Sequence, residues 1–421
     1  MSKDNTPYYK ISENNTKNDQ VKSLPGIGLL KNTQFAGYAP MVPKNNVTKD
    51  SSALFYWFVG TEDYSNKPTV IWTNGGPGSS SFWGFFLENG PYHILNAEVS
   101  LKKPDIENRS WAWNNKVNYM IIEHPLTVMV SYGASEEKVP KTPEQGAEEY
   151  YNVLQNFLDK HPEIRKNPII LAGESYAGTY LPLIANNIHQ ANINGGSNID
   201  LASIVLLDAW VSPITQMKKD TEYAYYHGLI SKNQKRMYDL KYQGKQLNNL
   251  NYIMQEDLGM YFTNIAQFAD PSFQPVFDYL NRKDVRKAIN VDEKAPNLTQ
   301  NWSQAVSKNY TPHLNNDYAG LLDNLLKYAG FKIQVISGLN DAKDCTFLGT
   351  GAWLEGLTSE AANIFHDMEP KPWKSSVNNK HTIGFVQDGG QLSWVKVLNA
   401  GHMAVRDQPE IIDIIISNAG V

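Results

Sequence analysis

Three side chains of the sequence could act together on a carbonyl carbon. Ser175 lies in the pentapeptide GESYA, His402 follows a glycine near the C-terminus, and Asp341 lies between them in the chain. A serine hydroxyl becomes a nucleophile when a histidine accepts its proton and an acid fixes the tautomer of that histidine. These residue types therefore indicate acyl transfer, with Ser175 as nucleophile, His402 as base and Asp341 as acid. The pentapeptide alone is common by chance, so the three residues have to be judged together.

Ser175 stands between an apolar run and a helical pattern. Ile169–Leu171 reads as a buried strand, and Leu181 and Ile184 lie on one face of the helix that follows. A nucleophile elbow has this strand–serine–helix layout and requires small neighbouring residues because its turn is tight. Ala177 stands where the pattern usually has a glycine, but a methyl group is still small. The alternative is a serine that caps a helix in an ordinary loop.

His402 and Asp341 each follow a predicted strand, Val395–Leu398 and Ile333–Ser337 respectively. Parallel strands end at the same edge of a sheet, so the loops that follow them can meet there. The order of serine, acid and histidine along the chain is also the order found in α/β-hydrolases. The sequence therefore predicts that both side chains reach Ser175.

The whole chain alternates short apolar runs with helical patterns. Seven runs rich in β-branched and aromatic residues read as strands, and several are apolar throughout, as expected for strands covered on both faces. A helix should begin after Thr142, because Pro143 and Gln145 complete an N-terminal capping signature. This alternation predicts a mostly parallel, doubly wound sheet, and the elbow at Ser175 makes the predicted fold class an α/β-hydrolase. The predicted strands are Leu54–Val59, Val70–Thr73, Tyr119–Ile122, Ile169–Leu171, Ile204–Leu207, Ile333–Ser337 and Val395–Leu398.

Two stretches depart from this alternation. Residues 1–32 are polar and rich in Asn, Lys and Ser, which predicts a poorly ordered N-terminal segment before a single α/β-hydrolase domain over residues 33–421. Within that domain, residues 212–314 are rich in Tyr, Asn, Gln and Lys and contain no convincing buried strand. We expect this region to be an inserted, mainly helical cap over one end of the sheet.

The composition argues against several classes of protein. The 421 residues carry a formal net charge of −5, which gives no electrostatic reason to bind nucleic acid. No long uninterrupted apolar stretch occurs, so no membrane span is predicted. The single cysteine, Cys345, excludes an internal disulfide and a multi-cysteine metal site, and we expect neither a metal nor a cofactor. The N-terminus lacks the apolar core of a signal peptide, which leaves a cytoplasmic protein or a secreted or periplasmic one whose signal has been removed.

Taken in order, these segments resemble the serine carboxypeptidase family. Trp72–Ser80 is similar to the oxyanion segment of that family, Gly173–Gly178 to its serine segment and Gly401–Met403 to its histidine segment. Weaker matches fill the intervals, so the resemblance covers most of the chain. These weaker matches are Ser110–Asn114, Glu123–Pro125, Val130–Gly133 and Asp284–Ala288.

The resemblance implies a serine-type carboxypeptidase that removes C-terminal amino acids from peptides and proteins through an acyl-enzyme. An acyltransferase or an esterase on the same scaffold is the alternative, since some relatives use the same triad with other acyl acceptors. A binding protein that has lost catalysis is a third interpretation, and the intact set of serine, histidine and acid argues against it.

The resemblance also assigns residues of the site. It implies that the amides of Gly76 and Tyr176 form the oxyanion hole, and that Asn74, Glu88 and Glu174 bind the C-terminal carboxylate of the substrate. Two adjacent carboxyl groups cannot both ionise cheaply, so they share a proton and one can donate a hydrogen bond to that carboxylate. We therefore expect peptide hydrolysis to be best at acidic pH. Three residues close in sequence to these groups are candidates for the pocket of the leaving residue, with core packing as the alternative: Trp83, Leu87 and Met403.

Two departures from the family pattern concern the loop that carries the acid. Family members often pair a cysteine in the oxyanion segment with one in the acid loop, whereas here Ser79 takes the first position and Cys345 the second. The acid loop is also one residue longer than usual. Counting forward from the strand selects Asp341, while counting back from Cys345 keeps Asp344 as the alternative acid. Asp208, at the end of an earlier strand, is a further competitor.

Overall fold

The computed structural model describes residues 18–48, 50–94, 106–133, 135–196, 198–242, 262–267, 271–377 and 380–421. Its centre is a ten-stranded sheet, and two short two-stranded sheets lie outside it. Each of the seven predicted strands is present, so that prediction is confirmed. The strands are β1 (Ser23–Leu24), β2 (Gly28–Leu29), β3 (Gln34–Pro40), β4 (Ala53–Val59), β5 (Thr69–Thr73), β6 (Tyr92–Ile94), β7 (Ile106–Asn108), β8 (Asn118–Ile122), β9 (Ile169–Ser175), β10 (Leu201–Ala209), β11 (Lys332–Gly338), β12 (Lys371–Lys374), β13 (Thr382–Asp388) and β14 (Leu392–Val397).

Helices connect the strands, and a π-helical turn, Trp83–Glu88, follows β5. The predicted cap of the first long helix is present, since Thr142 Oγ1 accepts a hydrogen bond of 3.3 Å from the amide of Gln145. The α-helices are α1 (Pro143–Lys160), α2 (Pro162–Arg165), α3 (Ala177–Ile193), α4 (Pro213–Met217), α5 (Asp220–Tyr226), α6 (Lys232–Tyr242), α7 (Gln274–Leu280), α8 (Lys283–Ala288), α9 (Gln304–Tyr310), α10 (Ala319–Leu325), α11 (Phe347–Leu354), α12 (Glu360–His366), α13 (Ala404–Asp407) and α14 (Ile411–Ala419).

The strand order across the large sheet is β12-β13-β14-β11-β10-β9-β5-β8-β4-β3. The six strands from β14 to β8 are parallel to one another, and the outer strands at both edges pair antiparallel. β5, β8 and β9 are buried along their whole length, as expected for strands covered on both faces. The carboxyl ends of β9, β11 and β14 lie at one edge of the sheet. Ser175 is the last residue of β9, and Asp341 and His402 lie in the loops that follow β11 and β14. The molecule thus has the α/β-hydrolase fold.

Strand β4 shows how the sheet divides the interior into two hydrophobic cores. Phe55 and Trp57 pack in one core, whereas Tyr56 and Phe58, which point to the opposite face, pack in the other. All four side chains are fully buried. Helices α1 and α3 cover the face of the second core and contribute apolar side chains such as Phe157 to it.

Residues 18–32 lie against this domain, while residues 1–17 of the predicted N-terminal segment lie outside the described residues. Val21 and Leu24 are buried in the first core. Asp19 is also buried, and its Oδ2 accepts a hydrogen bond of 2.7 Å from Nε2 of His161. Burial alone would raise the pKa of Asp19, but hydrogen bonds from His161 and Tyr56 outweigh it and lower the pKa to about 2. The segment is therefore anchored by an ionised carboxylate as well as by apolar packing.

The described part of residues 212–314, called the cap region below, contains helices α4 to α9 and contributes no strand to the large sheet. Near the loop after β11, Tyr223, Ile230 and Tyr238 of this region pack with Ala342 in a small third hydrophobic cluster. Other residues of the region approach the carboxyl edge of the sheet, where the candidate site lies. Among the helices that the structure describes, none is both long enough and apolar enough to span a membrane.

Candidate active site

Ser175 ends β9 in a left-handed backbone conformation with φ +62° and is 6% exposed. This conformation is strained for any residue other than glycine, and it persists only where the surrounding packing enforces it. A Cβ added to Gly173 would lie 2.3 Å from the carbonyl oxygen of Thr73, and one added to Gly178 would lie 2.7 Å from the amide nitrogen of Trp210. The small residues around the serine are therefore required by close backbone contacts, as a nucleophile elbow demands.

One of the three candidate acids lies within hydrogen-bond distance of His402. Asp341 Oδ2 lies 2.9 Å from His402 Nδ1, within hydrogen-bond distance, and both side chains are buried. Asp344 Oδ1 lies 3.9 Å from the same nitrogen, which is too far for a hydrogen bond. The carboxyl of Asp208 accepts instead from a backbone amide at the end of β11. The geometry therefore favours Asp341 as the partner that fixes the ring.

The ring of His402 lines a cleft together with Ser175. His402 Nε2 is buried and has no hydrogen-bond partner within the described ranges. The backbone of His402 is fixed from the cap region, because its amide donates a hydrogen bond of 2.7 Å to the carbonyl of Thr263. A ring held through Nδ1, with Nε2 left open, is the arrangement that a general base for a serine hydroxyl needs.

The choice between the two aspartates of this loop leads to a direct test. We expect Asp341→Asn to lower kcat by ~10⁴-fold, because an amide at this position favours the wrong tautomer of His402. Asp344→Asn, made in the same loop, is the matched control and should change kcat by less than about threefold, since Asp344 Oδ1 lies 3.9 Å from His402 Nδ1, beyond the distance at which it could fix the ring by a hydrogen bond. Steady-state hydrolysis of a simple ester measures both. A larger loss for Asp344→Asn than for Asp341→Asn would reverse the assignment.

The oxyanion segment lies directly against the start of α3. Gly76 has φ +111°, and a Cβ added to Gly75 would lie 2.2 Å from the amide nitrogen of Tyr176. Glycine adopts the φ of Gly76 without strain, and at position 75 it lacks the Cβ that would clash with Tyr176. Within the described ranges, no backbone hydrogen bond uses the amide of Gly76 or of Tyr176 as donor. Both amides are thus available to an oxygen bound beside Ser175.

Hydrogen bonds to the cap region hold the oxyanion segment in place. The amide of Ser80 donates to the carbonyl of Asn301 over 2.8 Å, and the amide of Ser303 donates to the carbonyl of Gly78 over 2.9 Å. Behind them, Ser80 Oγ donates a bond of 2.8 Å to the buried carboxyl of Glu123. These contacts join Ser79 and its neighbours to the cap where the family pattern has a cysteine.

Asn74 joins the two predicted carboxyl groups. Its Nδ2 donates to Glu88 Oε1 over 3.1 Å and to Glu174 Oε1 over 2.8 Å. Its Oδ1 accepts from Trp72 Nε1 and from the amide of Gly84, which fixes the orientation of the side-chain amide. Asn74 therefore uses all its hydrogen-bonding capacity to hold the two carboxyl groups side by side.

Burial and mutual repulsion keep a proton on this carboxyl pair. Burial, followed by the neighbouring Glu88, raises the pKa of Glu174 well above its usual range. Burial also raises the pKa of Glu88, the carboxyl group that Asn74 holds beside Glu174. Two carboxylates this close cannot both ionise cheaply, so a shared proton persists to higher pH than on an isolated glutamate.

The cleft beside Ser175 has a volume of about 180 Å³, and two of the three predicted pocket residues line it. Trp83 and Met403 line it, as does Glu174. Leu87 does not line it and packs against the first hydrophobic core. Glu88 is completely buried behind Asn74 and so contacts the cleft only through its partners. Four further lining residues were not predicted, and they come from the cap region and the acid loop: Thr263, Asn301, Trp302 and Lys343.

In the described part of the chain, one group of histidine, cysteine and acidic side chains is compact enough to share a metal ion. The ligand atoms of Asp341, Cys345 and His402 lie within 4.8 Å of one another. The hydrogen bond between Asp341 and His402 accounts for two of its three members. These three side chains therefore lie close together because two of them belong to the proposed serine site.

The fold and this cleft define a serine hydrolase of the α/β-hydrolase class. A model of the serine carboxypeptidase family matches residues 25–419. The chain therefore belongs to the serine carboxypeptidase family, as the sequence motifs predicted. It is a serine-type carboxypeptidase, and peptides are its class of substrate.

Curated relatives agree with this membership, and a solved structure agrees with the fold. The chain is 29% identical over 391 residues to the serine carboxypeptidase S10 family member 1 of Dictyostelium discoideum, which covers 86% of this chain and 90% of that protein. It is 28% identical over 440 residues to the pheromone-processing carboxypeptidase kex1 of Aspergillus niger, covering 95% of this chain and 69% of that protein. The crystal structure of the prohormone-processing carboxypeptidase Kex1(Δ)p of Saccharomyces cerevisiae matches with a TM-score of 0.80 at 21% identity, covering 95% of this chain and 96% of that one.

Proposed function

We propose that Ser175 attacks the carbonyl carbon of the last peptide bond of a substrate and releases its C-terminal amino acid. His402 Nε2 takes the proton of the hydroxyl and then gives it to the leaving amine, while Asp341 holds the ring through Nδ1. The acyl group remains on Ser175 until a water molecule, activated by the same histidine, hydrolyses the ester. The hydrogen bond of 2.9 Å between His402 and Asp341 supports these roles.

The oxyanion that forms on attack would be bound by the amides of Gly76 and Tyr176. The two amides belong to segments in direct contact, and neither is used by another backbone group of the described chain. Donors aimed at charge that develops only in the transition state contribute ~3 kcal/mol each to lowering the barrier. Their fixed positions, enforced by the close approach of Gly75 to Tyr176, avoid reorganisation during the reaction.

The carboxyl pair carries the proposal that this hydrolase acts on free C-termini. Glu174 lines the cleft next to Ser175, and in its protonated form it can donate a hydrogen bond to the carboxylate of the leaving residue. Asn74 would orient Glu174, because it donates hydrogen bonds to both carboxyl groups. Glu88 would share the proton of Glu174.

The leaving side chain would lie against Trp83 and Met403, which line the same cleft. The ring of Trp83 lies 4.8 Å from the ring of Phe273, just before α7 of the cap region. This contact links the pocket wall to the cap. We expect these two apolar side chains to favour leaving residues with apolar side chains.

Three substrates test the proposed function: a blocked dipeptide with a free carboxylate, its C-terminal amide and a simple ester. We expect kcat/KM for the free acid to exceed that for the amide by ~10–100-fold, because a charge-assisted hydrogen bond contributes ~1.5–3 kcal/mol. An acyltransferase or esterase on this scaffold would hydrolyse the ester while treating the two peptides alike. That result would contradict the carboxypeptidase assignment of the carboxyl pair.

A further inference from the structure

Asp208 is a buried acid that the mechanism leaves unused, and it lies on β10, between the strands that lead to Ser175 and Asp341. It is an extra residue in the ladder between β9 and β10, where Leu207 pairs with Glu174 and Ala209 pairs with Ser175. It is completely buried, and its backbone is left-handed with φ +39°. An unusual conformation at a fully buried acid next to a nucleophile calls for an explanation.

The side chain of Asp208 reaches the strand that leads to the acid. Beyond Leu207 and Ile336, the last paired residues of β10 and β11, the ladder between these strands ends. There, Asp208 Oδ1 accepts a hydrogen bond of 2.8 Å from the amide of Gly338. The amide of Asp341 in turn donates to the carbonyl of Gly338 over 3.2 Å. The carboxyl of Asp208 therefore continues the contact between the strands up to the start of the acid loop.

Gly338 also contacts the loop that carries the histidine. A Cβ added to Gly338 would lie 2.2 Å from the carbonyl oxygen of Gly401, the residue before His402. The amide of Asn340 donates a hydrogen bond of 2.8 Å to the carbonyl of Ala400. A shift of Gly338 would consequently move the backbones on both sides of the hydrogen bond between acid and histidine.

The surroundings of Asp208 favour its neutral form. Burial, followed by the charge of Asp341, raises the pKa of Asp208 well above its usual range, and Glu174 and Asp407 act in the same direction. Its Oδ2 is buried and has no hydrogen-bond partner among the described residues. A neutral group that accepts from one amide is the chemistry that an asparagine could also supply.

We propose that Asp208 is a positioning residue, whose hydrogen bond to Gly338 sets the ends of β10 and β11 so that Asp341 and His402 meet Ser175. This inference rests on the proposed function of those three residues. It assigns Asp208 no contact with the substrate. Its removal should therefore affect the rate of the chemical step rather than substrate binding.

The test compares Asp208→Gly with Asp208→Asn in the full chain. Glycine accepts a left-handed φ without strain but lacks the acceptor, whereas asparagine tolerates this conformation and keeps the acceptor. With a simple ester, we expect Asp208→Gly to lower kcat by ~10²-fold with KM nearly unchanged, the loss expected when catalytic groups are displaced by about 1 Å. Asp208→Asn should restore kcat to within about threefold of the unchanged chain. Rates are normalised by titrating Ser175 with a fluorophosphonate.

Three outcomes would overturn the proposal. They are normal kcat in Asp208→Gly, a loss in Asp208→Asn as large as that in Asp208→Gly, or a change confined to KM. Asp208→Ala is the second variant without the acceptor. If neither it nor Asp208→Gly folds while Asp208→Asn does, the hydrogen bond serves stability and the proposal fails. Asp323→Ala removes another acidic acceptor of backbone amides, those of Thr358 and Ser359. It is the control and should leave kcat unchanged. Hydrolysis retained by Ser175→Ala would instead contradict the proposed function itself.

Discussion

Ser175→Ala is expected to lower kcat for both peptide and ester hydrolysis by ~10⁴–10⁶-fold. The variant loses the nucleophile while keeping the oxyanion amides and the carboxyl pair, so a small residual rate and an unchanged affinity for a peptide should remain. Alanine fits the turn sterically, because the hydroxyl is not needed for the close contacts around Gly173 and Gly178. Burst-phase kinetics with an ester would show the loss of the acyl-enzyme directly.

Covalent labelling provides the control for this prediction. A fluorophosphonate should modify the unchanged chain at one residue, and mapping of the adduct by mass spectrometry should give Ser175. Ser79→Ala removes another hydroxyl from the same cleft and should be labelled at a rate within about threefold of the unchanged chain. An adduct on any residue other than Ser175 would overturn the assignment of the nucleophile.

The second large effect concerns pH. Both carboxyl groups of the pair have raised pKa values, so the proton that recognises the substrate is present at acidic pH and is lost as the pH rises through those pKa values. Above that range, ionised Glu174 repels the substrate carboxylate, and KM for free-acid peptides should rise by ~10–100-fold. The double variant Glu88→Gln, Glu174→Gln cannot ionise there. Its KM for the same peptides should therefore be nearly independent of pH.

Two controls separate this effect from the titration of His402. An ester without a carboxylate does not need the pair, so its KM should not rise with pH in the unchanged chain. Glu149→Gln alters another glutamate, partly buried on helix α1, whose pKa this burial raises to about 8. It should leave the pH profile of peptide hydrolysis unchanged. A flat profile in the unchanged chain, or a double variant that keeps the acidic preference, would contradict the role of the pair.

Much of the fold could be predicted because its signals are local. Apolar runs such as Tyr119–Ile122 mark strands covered on both faces, and Thr142 with Gln145 marks the beginning of α1. The small residues around Ser175 likewise reflect contacts of the turn with its immediate neighbours. In each case the physical requirement lies within a few residues of the signal, so a single sequence contains it.

The acid and the walls of the cleft were harder to predict because they depend on distant contacts. Asp341 and Asp344 are of the same type in the same loop, and only the distances of 2.9 Å and 3.9 Å to His402 separate them. Leu87 follows Trp83 by one helical turn and both pack against the first core, but nothing in the sequence says which of the two side chains also lines the cleft. Lining residues such as Trp302 come from the cap region, and no sequence pattern there indicates which residues lie near Ser175 at the end of β9.

The hydrogen bonds that join the oxyanion segment to the cap have a consequence for the environment in which this enzyme can fold. With Cys345 as its single cysteine, the chain cannot form an internal disulfide, and Ser79 stands where the family pattern would place one end of a cross-link. The amides of Ser80 and Ser303 provide the connection without any sulfur chemistry. The geometry of the oxyanion segment is therefore independent of thiol redox potential, and active enzyme should form equally well under reducing and oxidising conditions.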